Sequence, residues 1–82
     1  MFYFVYVLLS KKDNGTYTGY TDNLKRRYQE HQKGLVFATK DRRPLELTYF
    51  EGYKDKKKAM AREKYLKTGW GRNYLAKIFN GA

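Results

Sequence analysis

A single histidine, an arginine one helical turn before it, two tyrosines eleven residues apart and a solitary glutamate have the types and spacing of a reactive site: His31, Arg27, Tyr6, Tyr17 and Glu63. Arg27 and His31 stand four apart on a helical pattern, so they project to one side and could both face a phosphate. For Arg27 the competing reading is a solvated helix edge beside Arg26; for His31 it is a partly buried, hydrogen-bonded ring. Glu63 lies in a helical stretch otherwise rich in Lys and Arg. Counting 100° per residue from Ala59 puts it at about 40°, between Ala59 and Met60 and near Leu66, on the apolar side. It is the only acid of that helix. Two readings fit such a carboxylate: an ion pair with a neighbouring Lys or Arg, or an oxygen ligand for a hard divalent cation in a shaped, partly dry site. Tyr6 and Tyr17 read equally as core or cross-strand aromatics and as catalytic hydroxyls.

The elements that must position these groups follow from hydrophobic pattern and turn chemistry. Phe2 to Leu9 is an uninterrupted β-branched and aromatic run, which predicts a strand covered on both faces. Asn14-Gly15 then signals a hairpin leading into a second strand, Thr16 to Thr21. A strict two-residue turn leaves Tyr6 without a partner in that strand, whereas a longer, bulged turn could set Tyr6 beside Tyr17. Thr21-Asp22-Asn23 offers N-caps for a helix stopped by Gly34, with Leu24, Tyr28 and His31 on one face. Leu35 to Arg43 reads as a mobile basic loop ended by Pro44. Leu45 to Phe50 alternates as a third strand, ended by Gly52. Asp55 caps a helix from about Lys56 to Thr68, Gly69-Trp70-Gly71 breaks the chain, and Arg72 to Phe79 forms a short last helix. The class is α+β, three strands with about three helices in a single domain spanning 1–82.

Composition narrows the partners. The chain has 82 residues, Lys+Arg 18 against Asp+Glu 8, and a formal charge of +10. With 41% hydrophobic and 18% aromatic residues it is too apolar for a disordered basic tail. It is also too short to wrap a large cofactor. The absence of cysteine excludes disulfide frameworks, thiolate zinc sites and cysteine nucleophiles, and agrees with a reducing compartment. The apolar N-terminus lacks a charged n-region and cleavage site, and is too short to cross a bilayer, so a cytoplasmic location is expected. Cations gather in the central loop (Lys40, Arg42, Arg43) and around the second helix (Lys54, Lys56, Lys57, Lys58, Arg62, Lys64, Lys67), with aromatics interleaved. That distribution points to a polyanion. No stretch sets a Lys-rich face against a wide apolar one, so a membrane surface is not expected. No recognition-helix pair, zinc finger or RNA-stacking motif is present to read bases. A nucleic-acid backbone, DNA sooner than RNA, is the expected partner, held without sequence preference and with steep salt dependence.

In order and spacing, Phe4-Val5-Tyr6, Tyr17-Thr18-Gly19, Asn23 to Arg27 and a later helical Glu63 resemble the GIY-YIG nuclease superfamily, in particular its small stand-alone bacterial members. The resemblance runs from Tyr3 to about Ile78. It implies a three-stranded antiparallel sheet flanked by helices and hydrolysis of phosphodiester bonds with one divalent metal, Mg²⁺ or Mn²⁺. Matched residue by residue, it implies that Tyr6 ends the first motif and that Tyr17 and Gly19 belong to the second. Arg27 and His31 match the helix arginine and histidine, and Glu63 the metal-binding carboxylate. Lys40, Arg42, Arg43, Lys57, Lys58, Arg62, Lys64 and Lys67 are the expected backbone contacts. This sequence departs from the pattern in three places. Phe4 replaces the first-motif glycine, Tyr20 stands where some branches carry lysine, and the late asparagine has only Asn73 or Asn80 as imperfectly spaced counterparts. The expected protein is an endonuclease of low sequence selectivity, monomeric or weakly dimeric, acting on structured or single-stranded DNA in repair or recombination. The alternative is a nucleic-acid-binding module with little or no turnover.

Overall fold

The computed structural model describes residues 1–80. Its elements run β1 (Tyr3–Ser10), β2 (Thr16–Thr21), α1 (Leu24–Gln32), a 3₁₀ turn (Lys40–Arg42), β3 (Leu45–Tyr53), α2 (Lys56–Leu66) and α3 (Gly69–Phe79). The strands form one antiparallel sheet of order β2-β1-β3, an α+β architecture. No helix among the described residues is long and apolar enough to cross a membrane.

β1 is central because its middle has no polar residue to offer water. Val5, Tyr6, Val7 and Leu8 are all buried, and alternate side chains enter two different cores. Val5 and Val7 pack with Ala59, Leu66 and Leu75 of α2 and α3. Tyr6 and Leu8 pack with Leu45, Leu24 and Tyr28 on the α1 side. Each buried aliphatic side chain contributes about 1.5–3 kcal/mol, so these two clusters clamp both helix layers onto one strand.

The hairpin takes the longer of the two turns compatible with its sequence. Asn14 adopts φ 63°, Ser10 N–H donates to the Gly15 carbonyl at 2.8 Å, and the register places Leu9 opposite Thr16. Tyr6 is therefore directly opposite Gly19, and Tyr17, opposite Leu8, lies beside it as the diagonal neighbour on the same face.

Three boundaries and one loop differ from the sequence reading. β3 continues through Gly52 to Tyr53, because both residues stay paired with β1, opposite Phe4 and Tyr3. The segment after α1 is held rather than loose. Val36 and Thr39 are buried, Ser10 Oγ donates to the Arg42 carbonyl at 2.7 Å, and Arg42 grips Asp13 with two hydrogen bonds. α2 stops at Leu66, and α3 begins at Gly69 rather than Arg72. Thr68 caps α3 by accepting from Gly71 N–H at 3.2 Å. A Cβ at Gly71 would lie 2.8 Å from the Leu66 carbonyl carbon and closer still to the Tyr65 oxygen. Gly-Trp-Gly is thus the first turn of a helix whose backbone crosses the end of α2, and only glycine permits that approach.

Candidate active site

Position 19 is the geometric key. Tyr6 leaves β1 and lies across β2, where a Cβ on Gly19 would come within 2.5 Å of Tyr6 Cζ. The missing side chain lets the phenol cross the strand, and its hydroxyl meets His31 Nε2 at 2.8 Å. His31 comes from the last turn of α1 and is fully buried. Its other nitrogen, Nδ1, is 2.7 Å from Thr39 Oγ1 in the segment before the 3₁₀ turn. Tyr17 completes the cluster: its ring centroid lies 5.3 Å from that of His31 and 6.5 Å from that of Tyr6.

Burial, reinforced by the Arg27 charge, pulls the His31 pKa from 6.5 down to about 4. The ring is neutral near pH 7, with one donor and one acceptor nitrogen. With Nδ1–H donated to Thr39, Nε2 is free to accept the Tyr6 proton; the opposite tautomer donates to the Tyr6 oxygen instead. Tyr6 itself is pushed up from 10.0 to about 12 by burial, with Arg27 opposing and the charges of Tyr17 and Glu63 adding to the rise.

Arg27 projects from α1 beside that hydroxyl. Its Nη1 donates to Glu30 Oε1 at 3.0 Å, a half-exposed pair three residues apart. Burial would lower its pKa, but the neighbouring Tyr6 hydroxyl and the Glu30 carboxylate outweigh it, leaving a permanent cation. Arg27 also lines a hollow of about 300 Å³, with Arg26 and Glu30 of α1, Tyr20 of β2, Asp22, and Lys56 of α2; Tyr6, Tyr17, His31 and Glu63 do not line it. The two helix layers thus meet at the outer edge of β2.

Glu63 approaches from α2. Its side chain is 23% exposed and accepts from Lys67 Nζ at 3.1 Å, with the acid on the favourable N-terminal side of the i,i+4 pair. Of the two sequence readings the ion pair is the one observed; the Glu63 charge also adds to the rise of the Tyr6 pKa. No three His, Asp or Glu side chains gather into a cage among the described residues. A lone, partly exposed carboxylate suits Mg²⁺, which keeps several waters and takes its remaining ligands from a substrate phosphate, better than it suits an ion needing an all-protein shell.

The expected cationic contacts divide into two groups. Lys40, Arg43, Lys57, Lys58 and Lys64 are exposed and make no ion pair among the described residues, with Lys40 Nζ over the Phe37 ring at 5.3 Å. Arg42, Arg62 and Lys67 are engaged with Asp13, Glu51 and Glu63. Arg62 in particular is part of the architecture. Nε and Nη2 fork onto Glu51 at 2.9 and 3.0 Å, while the guanidinium sits over the rings of Tyr65 and Tyr74. Asn73 is exposed on α3, and Asn80 caps its C-terminal end. Sequence reasoning missed Thr39 and Glu30. Glu30 carries a signal in its i,i+3 spacing from Arg27; Thr39 carries none, being an isolated threonine in a basic stretch.

The family profile described as the GIY-YIG catalytic domain matches residues 2–74. A UPF0213 protein of Clostridium perfringens is 42% identical over 65 residues, covering 78% of this chain and 69% of the relative. One from Staphylococcus haemolyticus is 44% identical over 67 residues, covering 80% of each. The solution NMR structure of a UPF0213 protein from Bacillus halodurans superposes with a TM-score of 0.60 at 31% identity, over 95% of this chain and 85% of that one.

Proposed function

The chain belongs to the GIY-YIG family, and from that premise we propose that it is a divalent-metal-dependent endonuclease hydrolysing phosphodiester bonds in DNA with little sequence selectivity. The observation that carries the proposal is the convergence on one hydroxyl: Tyr6 is hydrogen-bonded to a neutral His31, flanked by Tyr17 and Arg27, and within reach of the Glu63 charge.

In-line hydrolysis needs charge placed on the non-bridging oxygens and a route for the proton of the attacking water. Arg27 supplies a planar, permanent donor fork suited to phosphate. Tyr6 is the better base than Tyr17, because its hydroxyl proton has a destination: it passes to His31 Nε2 as the phenol oxygen takes the proton of water. Thr39 keeps the receiving nitrogen free by accepting from Nδ1–H. Glu63 would hold Mg²⁺ or Mn²⁺ against the phosphate, displacing Lys67. Bound there, the metal supplies positive charge for the departing oxygen and lowers the pKa of coordinated water. The exposed lysines of α2 extend the positive surface along the backbone of the nucleic acid.

A second reading, a nucleic-acid-binding module, draws on the Glu63–Lys67 pair, since that carboxylate is satisfied without any metal. Incubating labelled single-stranded, duplex and branched DNA, and RNA, with Mg²⁺ or Mn²⁺ separates the two. Cleavage by the wild type that is lost in Glu63→Ala and Arg27→Ala, with Glu63→Ala still binding, supports the enzyme. Binding without cleavage by all three proteins supports the binder, and equal cleavage by all three overturns the enzyme reading.

A further inference from the structure

Past Tyr17, on the α2–α3 side of β2, lies a cleft of about 550 Å³ that no step above uses. Leu66, Leu75 and Phe79 give it an apolar floor, and Arg42, Lys67 and Arg72 give it a cationic rim. No acidic residue lines it. Arg42 and Lys67 already hold Asp13 and Glu63, but Arg72 makes no ion pair among the described residues. The volume falls within the range of about 300–1,000 Å³ typical of small-ligand sites. An apolar floor ending in an aromatic ring, under a rim of guanidinium and ammonium groups, complements a flat heteroaromatic base carrying a phosphate on either side.

Two residues join this cleft to the candidate site. Tyr17 lines it and packs on Tyr6 and His31; Lys67 lines it and holds Glu63. The cleft borders residues 15–18 and the C-terminal end of α2, whereas Arg27 lines the hollow at the other end of β2 and α2, so a strand lying along β2 can meet both. A base stacked inside a duplex cannot turn into the cleft. We infer that the cleft receives one unpaired base of a DNA strand, so that the protein selects single-stranded or locally opened DNA by a pocket rather than by charge alone. The inference rests on the nucleic-acid reading given above, but not on catalysis.

The test is binding in EDTA, so that no cleavage intervenes, followed by fluorescence anisotropy with a short labelled oligodeoxynucleotide, alone and in a blunt duplex. Wild type should bind the single strand at least about tenfold more tightly, the scale expected from stacking one base. Ala76 is exposed and lines the cleft, so Ala76→Trp fills the space without disturbing the core. It should abolish the preference and leave duplex affinity unchanged, and Arg72→Gln should reduce the preference part of the way. Near-wild-type melting temperatures establish that both variants are folded. A preference that survives Ala76→Trp, or that wild type never shows, overturns the inference even if the protein cleaves DNA. A preference that wild type and Glu63→Ala share, and Ala76→Trp lacks, upholds it even if no cleavage occurs.

Discussion

Arg27 and Arg62 each come from a helix, each meet a glutamate, and do different things. Arg62 is closed: both ends of its fork are on Glu51, and two tyrosine faces cover its plane. Tyr49 and Tyr53 donate to the same carboxylate, so although burial alone would raise the Glu51 pKa, its hydrogen bonds hold it below the ordinary value. Arg27 is open. Its one hydrogen bond within bonding distance is to Glu30, while it also stands beside the Tyr6 hydroxyl and lines the hollow. The contrast teaches that a guanidinium becomes architecture when its partner completes the fork and becomes available for chemistry when its partner leaves part of it unfilled.

Removing the open arginine should therefore cost function and spare the fold. Arg27→Ala is expected to lower the cleavage rate by at least about a hundredfold, comparable to losing one preorganised donor, with a melting temperature close to wild type. Calorimetry beside a single-turnover assay reads both quantities. A large fall in melting temperature would place Arg27 with Arg62.

Acid should attack the open side next. The His31 pKa is depressed in the folded chain, so the unfolded state binds more protons between about pH 6.5 and 4. Its contribution is complete above about pH 6.5 and is lost as pH falls towards 4, amounting to about 3 kcal/mol across that window. Denaturant titrations should show this slope in wild type and not in His31→Gln.

The closed arginine should behave in the opposite way. Arg62→Ala is expected to lower stability by about 2 kcal/mol, less than for a fully buried pair because water reaches both partners, while the folded fraction keeps its cleavage rate. Loss of cleavage at intact stability would mean that Arg62, too, meets the substrate.

Arg42→Ala sets the lower end of the scale. Its grip on Asp13 has good geometry but lies in water, so the smallest loss of the series is expected by the same titration.

The sequence was most informative where one physical signal dominated. The buried run of β1, the Asn14-Gly15 turn and the caps Asn23 and Asp55 carry the sheet and two helices, because each acts over a few residues. Gly69-Trp70-Gly71 misled because glycine ordinarily breaks helices; here a close backbone crossing demanded it, a tertiary requirement without local trace. The same holds within the site. The spacing of Arg27 and His31 was readable from helical period. The Tyr6–His31–Thr39 chain joins residues from three segments, and the exact register of the hairpin decides whether Tyr6 lies over Gly19. Similarly, a helical wheel separates Arg62 from Lys64 only by angle and is silent on Glu51, which sits on another element.

The crossing at Gly71 also has an evolutionary reading. With α3 seated backbone to backbone on the end of α2, the junction is a weld rather than a tether, and its length is fixed. One residue inserted between Leu66 and Gly71 would turn α3 by about 100° and carry Arg72 away from β2. Between α2 and α3, descendants of this chain can change composition but not count.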